Sequence, residues 1–289
     1  MTQRNAIIMA AGTSSRFVPL SVERPKGLVE VKGEILIERQ IRQLKEAGIT
    51  DITLVVGYKA EMFAYLRDKY AVDIVYNEDF TRYNNTSSLI RVIEKLDNTF
   101  ICSSDNYFPE NVFTRESVDS YYSALYAEGK TNEYCLITDA EDQITDVKVG
   151  GHDSWYMVGH VFFNHEFSEK FRKLMIKEYC NETTKQGYWE DLYIRYIDQL
   201  PKMKINRYQE GDIQEFDSLD ELRMFDESYK NDTRSSIVKQ ICKQLEVGEA
   251  CVHAFRNIKH KGNYLQFQFK VYDDVYEYNA ENGIEIKKI

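Results

Sequence analysis

Between residues 5 and 103, short apolar runs alternate with segments of helical period, and this alternation limits the possible fold more than any other feature of the chain. NAIIMA at 5–10 reads as a buried strand that runs into Ala11 and Gly12. Ile37, Ile41 and Leu44 then recur at helical spacing, Gly48 stands where a C-cap is expected, and ITLVV at 52–56 reads as a second strand ending at Gly57. A helix near 59–69, the strand VDIVY at 72–76, a helix from about 86 through Leu89, Val92, Ile93 and Leu96, and the strand TFICS at 99–103 repeat the pattern. Strand and helix in turn predict a three-layer α/β fold, a mostly parallel sheet flanked by helices with right-handed crossovers. Ligands of such open sheets bind beyond the carboxyl ends of the strands. The loops at 10–26, 57–58, 77–88 and 104–108 thereby share one address.

From 131 to 163 the pattern changes to EYCLITD, ITDVKV and YMVGHVFF, which predicts antiparallel strands inserted or added at one edge. Helices follow near 165–179, 189–200 and 219–229, with KMKINRY as a strand between them. The polar stretch KNDTRSS at 230–236 reads as a linker. Beyond it lie the helix SIVKQICKQL and a few strands. The expected division is a main domain, 1–229, and an accessory module, 230–289, a small C-terminal α+β appendage with too few residues to bury much core alone.

Composition removes several classes of function. A net charge of −10 repels nucleic acid, and no concentrated basic patch offsets it, so no nucleic-acid partner is expected. No apolar run approaches the roughly 18 residues that span a bilayer, and no basic stretch precedes an apolar one at the N-terminus. The expectation is a cytoplasmic chain without membrane insertion. Cys102, Cys135, Cys180, Cys242 and Cys251 are scattered and lack CxxC spacing, which indicates neither a disulfide framework nor a zinc site. His152, His160, His165, His253 and His260 form no ligand spacing such as HExxH, leaving surface or packing roles.

The segment richest in chemistry is Ala10-Ala11-Gly12-Thr13-Ser14-Ser15-Arg16-Phe17-Val18-Pro19-Leu20, followed by Glu23-Arg24-Pro25-Lys26. A small-residue loop leaving a buried strand lets backbone N–H groups approach a polyphosphate, and an Arg and a Lys in that loop can neutralise it. It is neither a Walker loop nor a GxGxxG turn. The stretch resembles the signature of the sugar-phosphate-type nucleotidyltransferases: an AAG loop, then Arg, then PL, then PK. Within that superfamily it more closely resembles the bacterial phosphocholine cytidylyltransferases. The similarity continues through VVGYKAEMF, YNEDFTRYNNTSSL, SSDNYF, TNEYCLI, GYWEDLY and EFDSLDEL, and so covers about 1–229. The family often has glycine where this chain has Ser14, and the substrate motifs of hexose-phosphate enzymes are not recognisable.

The resemblance implies a Rossmann-like nucleotidyltransferase fold and a set of roles. Ala10, Ala11, Gly12, Thr13, Ser14 and Ser15 would cradle the triphosphate of CTP. Asp105 and Asp217 would hold Mg²⁺, which prefers oxygen ligands and keeps several waters, so that two carboxylates plus triphosphate oxygens suffice. Lys26 would stabilise charge on the α-phosphate and Arg16 would bind the departing pyrophosphate. A phosphate monoester already supplies an anionic oxygen, so no general base is required. Gly57, Tyr58, Asn84, Asn85 and Ser88 would meet the base and ribose; Asn-Asn before a helix also suits an N-cap.

For the acceptor, a trimethylammonium cannot donate an N–H bond, so its site uses aromatic faces and a nearby carboxylate. Candidates are Tyr134, Trp155, Tyr156, Tyr188, Trp189, Glu190 and Asp191, of which Tyr134 and the GYWEDLY group match the family's choline region. The implied reaction is transfer of CMP from CTP to phosphocholine. A primary ammonium would favour carboxylates and other acceptors, which keeps 2-aminoethylphosphonate and phosphoethanolamine open beside a sugar phosphate. A catalytically silent nucleotide sensor is the rival from outside enzymology, and the intact set Arg16, Lys26, Asp105 and Asp217 argues against it. The tail from 237 weakly resembles the opening of choline-kinase-type enzymes but contains no segment for a kinase catalytic loop, and reads as a module that packs on the main domain or on another subunit of a homo-oligomer.

Overall fold

A computed structural model describes residues 3–114, 117–258, 265–281 and 284–289; His260 lies outside them. The chain divides into two compact units, one formed by the residues up to Gly12 with Leu36–Gln214, the other by Thr13–Ile35 with Glu215–Ile289. In chain order the strands are β1 (Arg4–Ala10), β2 (Glu30–Val31), β3 (Glu34–Ile35), β4 (Asp51–Val56), β5 (Asp73–Tyr76), β6 (Asn98–Ser103), β7 (Tyr121–Thr138), β8 (Ile144–Phe163), β9 (Lys204–Arg207), β10 (Val252–Asn257), β11 (Gln266–Val271), β12 (Asp274–Asn279) and β13 (Glu285–Lys288).

In the first unit the described residues form a seven-stranded, mostly parallel sheet flanked by helices, in the order β5-β4-β1-β6-β8-β7-β9. β1 runs parallel to β4 and β6, with Ile8 opposite Leu54 and Cys102. Ala6, Ile7, Ile8, Leu54 and Val55 are buried, because helices cover both faces of a parallel sheet and leave no solvated side. The helix Leu36–Glu46 buries Leu36, Ile37, Ile41 and Leu44, and ends at Gly48, whose φ of +80° is cheap for glycine alone.

Other segments depart from the sequence expectation. The helix expected from 86 is a single α turn, Thr86–Leu89, that tightens into the 3-10 stretch Ile90–Lys95, with Val92 at φ −124°, ψ 18°. The β-branched Ile90, Val92 and Ile93 are poorly suited to a continuous α-helix, and the tighter winding still buries Leu89, Val92, Ile93 and Leu96. The antiparallel part begins ten residues before 131: β7 and β8 are 18 and 20 residues long and form one bulged hairpin, with β8 antiparallel to β6. The helix at 189 stops at Arg195.

In the second unit, Lys32 and Gly33 both take positive φ and turn β2 into β3 as a tight hairpin. β10 to β13 make an antiparallel sheet in which Phe267 stacks on Tyr278 at 4.7 Å and Phe269 on Tyr276 at 5.6 Å. The 230–236 segment is not a slack linker. Thr233 and Ser235 are fully buried; Thr233 N donates to Glu249 Oε2 at 2.6 Å, and Ser235 caps the helix Ser236–Leu245 by accepting from Val238 N. A polar segment stays ordered when its short side chains satisfy nearby backbone groups.

Candidate active site

In the second unit the signature loop and the EFDS segment meet. The chain makes one 3-10 turn at Lys26–Leu28, closed by Leu28 N donating to Pro25 O at 2.9 Å and Val29 N to Lys26 O at 3.0 Å. The Lys26 side chain is only 4% exposed, and its Nζ lies 3.5 Å from both Asp217 Oδ1 and Glu215 Oε1. Arg16 Nη1 reaches the other oxygen of Asp217 at 2.9 Å while the guanidinium stays 75% exposed. An ammonium so enclosed needs opposite charge beside it, and here two carboxylates supply it. Glu215 escaped the sequence reading, yet the alternation Glu215-Phe216-Asp217 carried the signal. On extended backbone the first and third residues share a side, while Phe216 turns inward against Phe225, 5.2 Å between centroids.

Ser218 caps the helix Leu219–Phe225 by accepting from Glu221 N, so the Asp217 carboxylate is left to face the cations. Ser14, at the position for which the resemblance suggests glycine, has φ 49°. The loop thus keeps the left-handed turn that glycine would favour.

In the first unit the predicted loops do leave the carboxyl ends of adjacent parallel strands. Tyr58 N donates to Ala11 O at 3.1 Å, Asn77 N to Val56 O at 2.8 Å and Ser104 N to Met9 O at 3.2 Å, which ties the loops after β4, β5 and β6 to their neighbours. Gly57 has no room for a side chain: an added Cβ would stand 2.7 Å from Phe80 and 3.0 Å from Ala11. Asn77 Nδ2 donates to Ser87 and Ser88 Oγ, 2.9 Å each, and fixes the Asn84–Ser88 turn. Asp105 follows β6 in a turn, partly buried.

The acceptor candidates gather around the start of the helix Trp189–Arg195. Asn85 does not cap its own helix; its Oδ1 accepts from Trp189 N at 2.8 Å and its Nδ2 donates to Glu190 Oε2 at 3.2 Å. Tyr122, which lies in the part of β7 that sequence reasoning passed over, donates from its hydroxyl to Glu190 Oε1 at 3.0 Å. Protein packs around this carboxylate, and burial pushes its pKa up to about 7. Tyr134 donates to Asp191 Oδ1 at 2.8 Å, Tyr188 N to Asp191 Oδ2 at 2.8 Å, and the two tyrosine rings meet edge to face at 6.5 Å. Trp189 is 2% exposed and packs on Tyr122, Phe163 and Phe171. Trp155 stands edge-on to Tyr126 with Arg207 over its ring. A small cleft of about 30 Å³ runs between Asn85, Ser103, Tyr122, Gly159, Trp189 and Glu190.

The MobA-like NTP transferase domain family matches residues 6–140. A choline-phosphate cytidylyltransferase of Streptococcus pneumoniae is 35% identical over 227 residues, 78% of this chain and 99% of that relative. A 2-aminoethylphosphonate cytidylyltransferase of Lancefieldella rimae is 34% identical over 229 residues, 78% of this chain and 93% of the relative. The solved CTP:phosphocholine cytidylyltransferase of Streptococcus pneumoniae superposes with a TM-score of 0.75 at 35% identity, covering 79% of this chain and all of that one. The chain belongs to the phosphocholine cytidylyltransferase family.

Among the described residues of this nucleotidyltransferase no three His, Cys, Asp or Glu side chains stand together as a metal cage, and both carboxylate oxygens of Asp217 are paired with Arg16 and Lys26. Magnesium asks for less than a full cage, since it takes one or two carboxylates and completes its shell with phosphate oxygens and water. All five cysteines of the enzyme are free. His160 is a core residue, ringed by Phe100, Phe108 and Phe113, with Nδ1 2.8 Å from Ser123 Oγ. Among the described residues no helix is long and apolar enough to cross a membrane.

Proposed function

We propose that the enzyme transfers CMP from CTP to phosphocholine, giving CDP-choline and pyrophosphate. The observation that carries the acceptor is the Tyr134–Asp191–Tyr188 arrangement beside Glu190, which offers a quaternary ammonium two rings and two carboxylates. The similarity to two choline-phosphate cytidylyltransferases, from Streptococcus pneumoniae and Haemophilus influenzae, supports the same choice. An oxygen of the acceptor phosphate attacks the α-phosphorus of CTP, and the bond from that phosphorus to the α–β bridging oxygen breaks, the pyrophosphate keeping the electron pair. Lys26 steadies charge on the α-phosphate and Arg16 receives the pyrophosphate through its planar fork. The backbone of Ala10–Ser15 lies along the triphosphate; Gly57, Tyr58, Asn84 and Ser88 serve the nucleoside. Asp105 and Asp217 are the residues to hold Mg²⁺, which when bound neutralises phosphate charge.

A second reading takes 2-aminoethylphosphonate as acceptor. Glu190 and Asp191 favour it, since a primary ammonium seeks hydrogen-bond acceptors, and the Lancefieldella relative carries that name. The test is pyrophosphate release across a matrix of nucleoside triphosphates with phosphocholine, phosphoethanolamine, 2-aminoethylphosphonate and glucose 1-phosphate. CTP with phosphocholine should lead. A lead for the aminophosphonate changes the acceptor and keeps cytidylyl transfer, while no release with any pair revives the silent sensor.

A further inference from the structure

Glu23 stands three residues before Lys26 in the signature loop, and its carboxylate is engaged by the tail. Oε1 accepts from Ser236 N at 2.7 Å, from Ile237 N at 3.1 Å and from Ser236 Oγ. These are the opening donors of the ten-residue helix Ser236–Leu245. The first N–H groups of a helix lack partners within it and carry partial positive charge, so a carboxylate from elsewhere in the unit is a matched cap.

The other side of the charge cluster is tied to the tail as well. Arg223, in the helix that follows Asp217 and Ser218, is 7% exposed and donates to Val252 O at 2.6 Å and Glu249 O at 2.8 Å. In the same helix Asp220 Oδ2 accepts from Ala254 N at 2.7 Å. Tail residues therefore grip both segments that bring Arg16, Lys26 and Asp217 together.

We infer that the C-terminal module is a positioning element of the nucleotide site, and that the Glu23–Ser236 latch sets the loop bearing Arg16 and Lys26. This rests on the proposed roles of those two cations. The discriminating substitution is Ser236→Pro in the full chain. Proline is tolerated at the first helical position, and Ser235, at φ −104° and ψ 123°, already has the extended backbone that a residue before proline needs. The change deletes two of the three donors to Glu23 and spares the helix. Glu23→Gln, which keeps an acceptor oxygen without the charge, should give a smaller effect in the same direction.

Two readouts are measured per folded molecule. Amide hydrogen exchange over residues 14–28 should quicken at least about tenfold in Ser236→Pro, and kcat with CTP and phosphocholine should fall by at least about tenfold, the scale on which slight misplacement acts, with the phosphocholine KM within about threefold. Lys287→Ala, on the exposed strand β13, should match wild type in both. A lowered melting temperature with wild-type kcat, or wild-type exchange in the loop, would overturn the inference and leave the tail a stabilising appendage. Exchange needs no substrate, so it judges the latch even if wild type releases no pyrophosphate from CTP, an outcome that removes the functional reading instead.

Discussion

Tyr122, Trp189 and Glu190 in the first unit are held by packing and by the backbone around them, whereas Arg16, Lys26, Glu215 and Asp217 in the second are held by one another's charges. In the first unit the strand ladder fixes where the loops emerge, so the address of the site survives changes to individual side chains. In the second, Lys26 and Asp217 meet across 191 positions, and each depends on the other. The difference separates two kinds of vulnerability. Substitutions in the charge cluster should remove chemistry from a folded protein, while substitutions around Trp189 should unfold it first.

The sharpest break in this comparison is Asp217→Asn. It keeps the volume and removes the charge facing Arg16 and Lys26, and should lower kcat roughly 10²- to 10³-fold, the range seen when one preorganised electrostatic contact is lost, in a protein that still folds because Glu215 remains beside the enclosed ammonium. Asp105→Asn should do the same. Near-normal turnover of either variant at limiting Mg²⁺ would remove that carboxylate from its proposed role. Trp189→Ala lies on the other side of the divide. With that ring buried among Tyr122, Phe163 and Phe171, urea unfolding should show a loss of about 3–5 kcal/mol. An acceptor defect at full stability would instead make Trp189 a wall of the binding site.

The same contrast explains what could be read in advance. The parallel half of the sheet was legible because apolar runs of 5–6 residues ending at Gly12 and Gly57 are a local signal, whereas the order β5-β4-β1-β6, in which the chain passes over two strands between β5 and β6, was not read in advance. The 121–130 stretch hid because Glu128, Gly129 and Lys130 interrupt the alternation at a bulge, and Tyr122 was lost with it. Lys26, Arg16 and Asp217 were singled out through motifs. Their assembly arises from pairings between distant segments that spacing does not encode, although the Glu215-Phe216-Asp217 alternation already set Glu215 beside Asp217. The 230–236 stretch misled for the converse reason: its composition is that of a loop, while Thr233 and Ser235 are buried by the groups they bond.

Glu190 gives a subtler test, because it mixes packing with charge. Its pKa in the folded enzyme is about 7, above the ordinary 4.5, so between those values the native state holds a proton that the unfolded chain has released. Its contribution to stability is thus fully present below about pH 4.5 and is lost as pH rises through 7. Melting temperature should fall across that window in wild type and fall less in Glu190→Gln. If the ionised carboxylate receives the cationic head group, the KM for phosphocholine should also drop as pH rises through 7, and that drop should vanish in the variant. Parallel pH profiles for the two proteins would place the titration elsewhere.

The smallest expected effect discriminates between acceptors. Tyr134 offers an aromatic face and also a hydroxyl that donates to Asp191 at 2.8 Å. Tyr134→Phe keeps the face and frees Asp191 Oδ1; Tyr134→Ala removes both. For a trimethylammonium the face matters, so Ala should raise the phosphocholine KM by about two- to thirtyfold, the worth of one cation–π contact of roughly 0.5–2 kcal/mol, while Phe stays near wild type. For a primary ammonium the freed carboxylate oxygen is a new acceptor, and Phe should improve 2-aminoethylphosphonate relative to phosphocholine. The measurement is the ratio of kcat/KM for the two acceptors in wild type, Phe and Ala, with CTP saturating. A ratio unchanged by Ala would show that the ring of Tyr134 does not touch the head group, and the choice of phosphocholine would then have to rest on Tyr188, Glu190 and Asp191 alone.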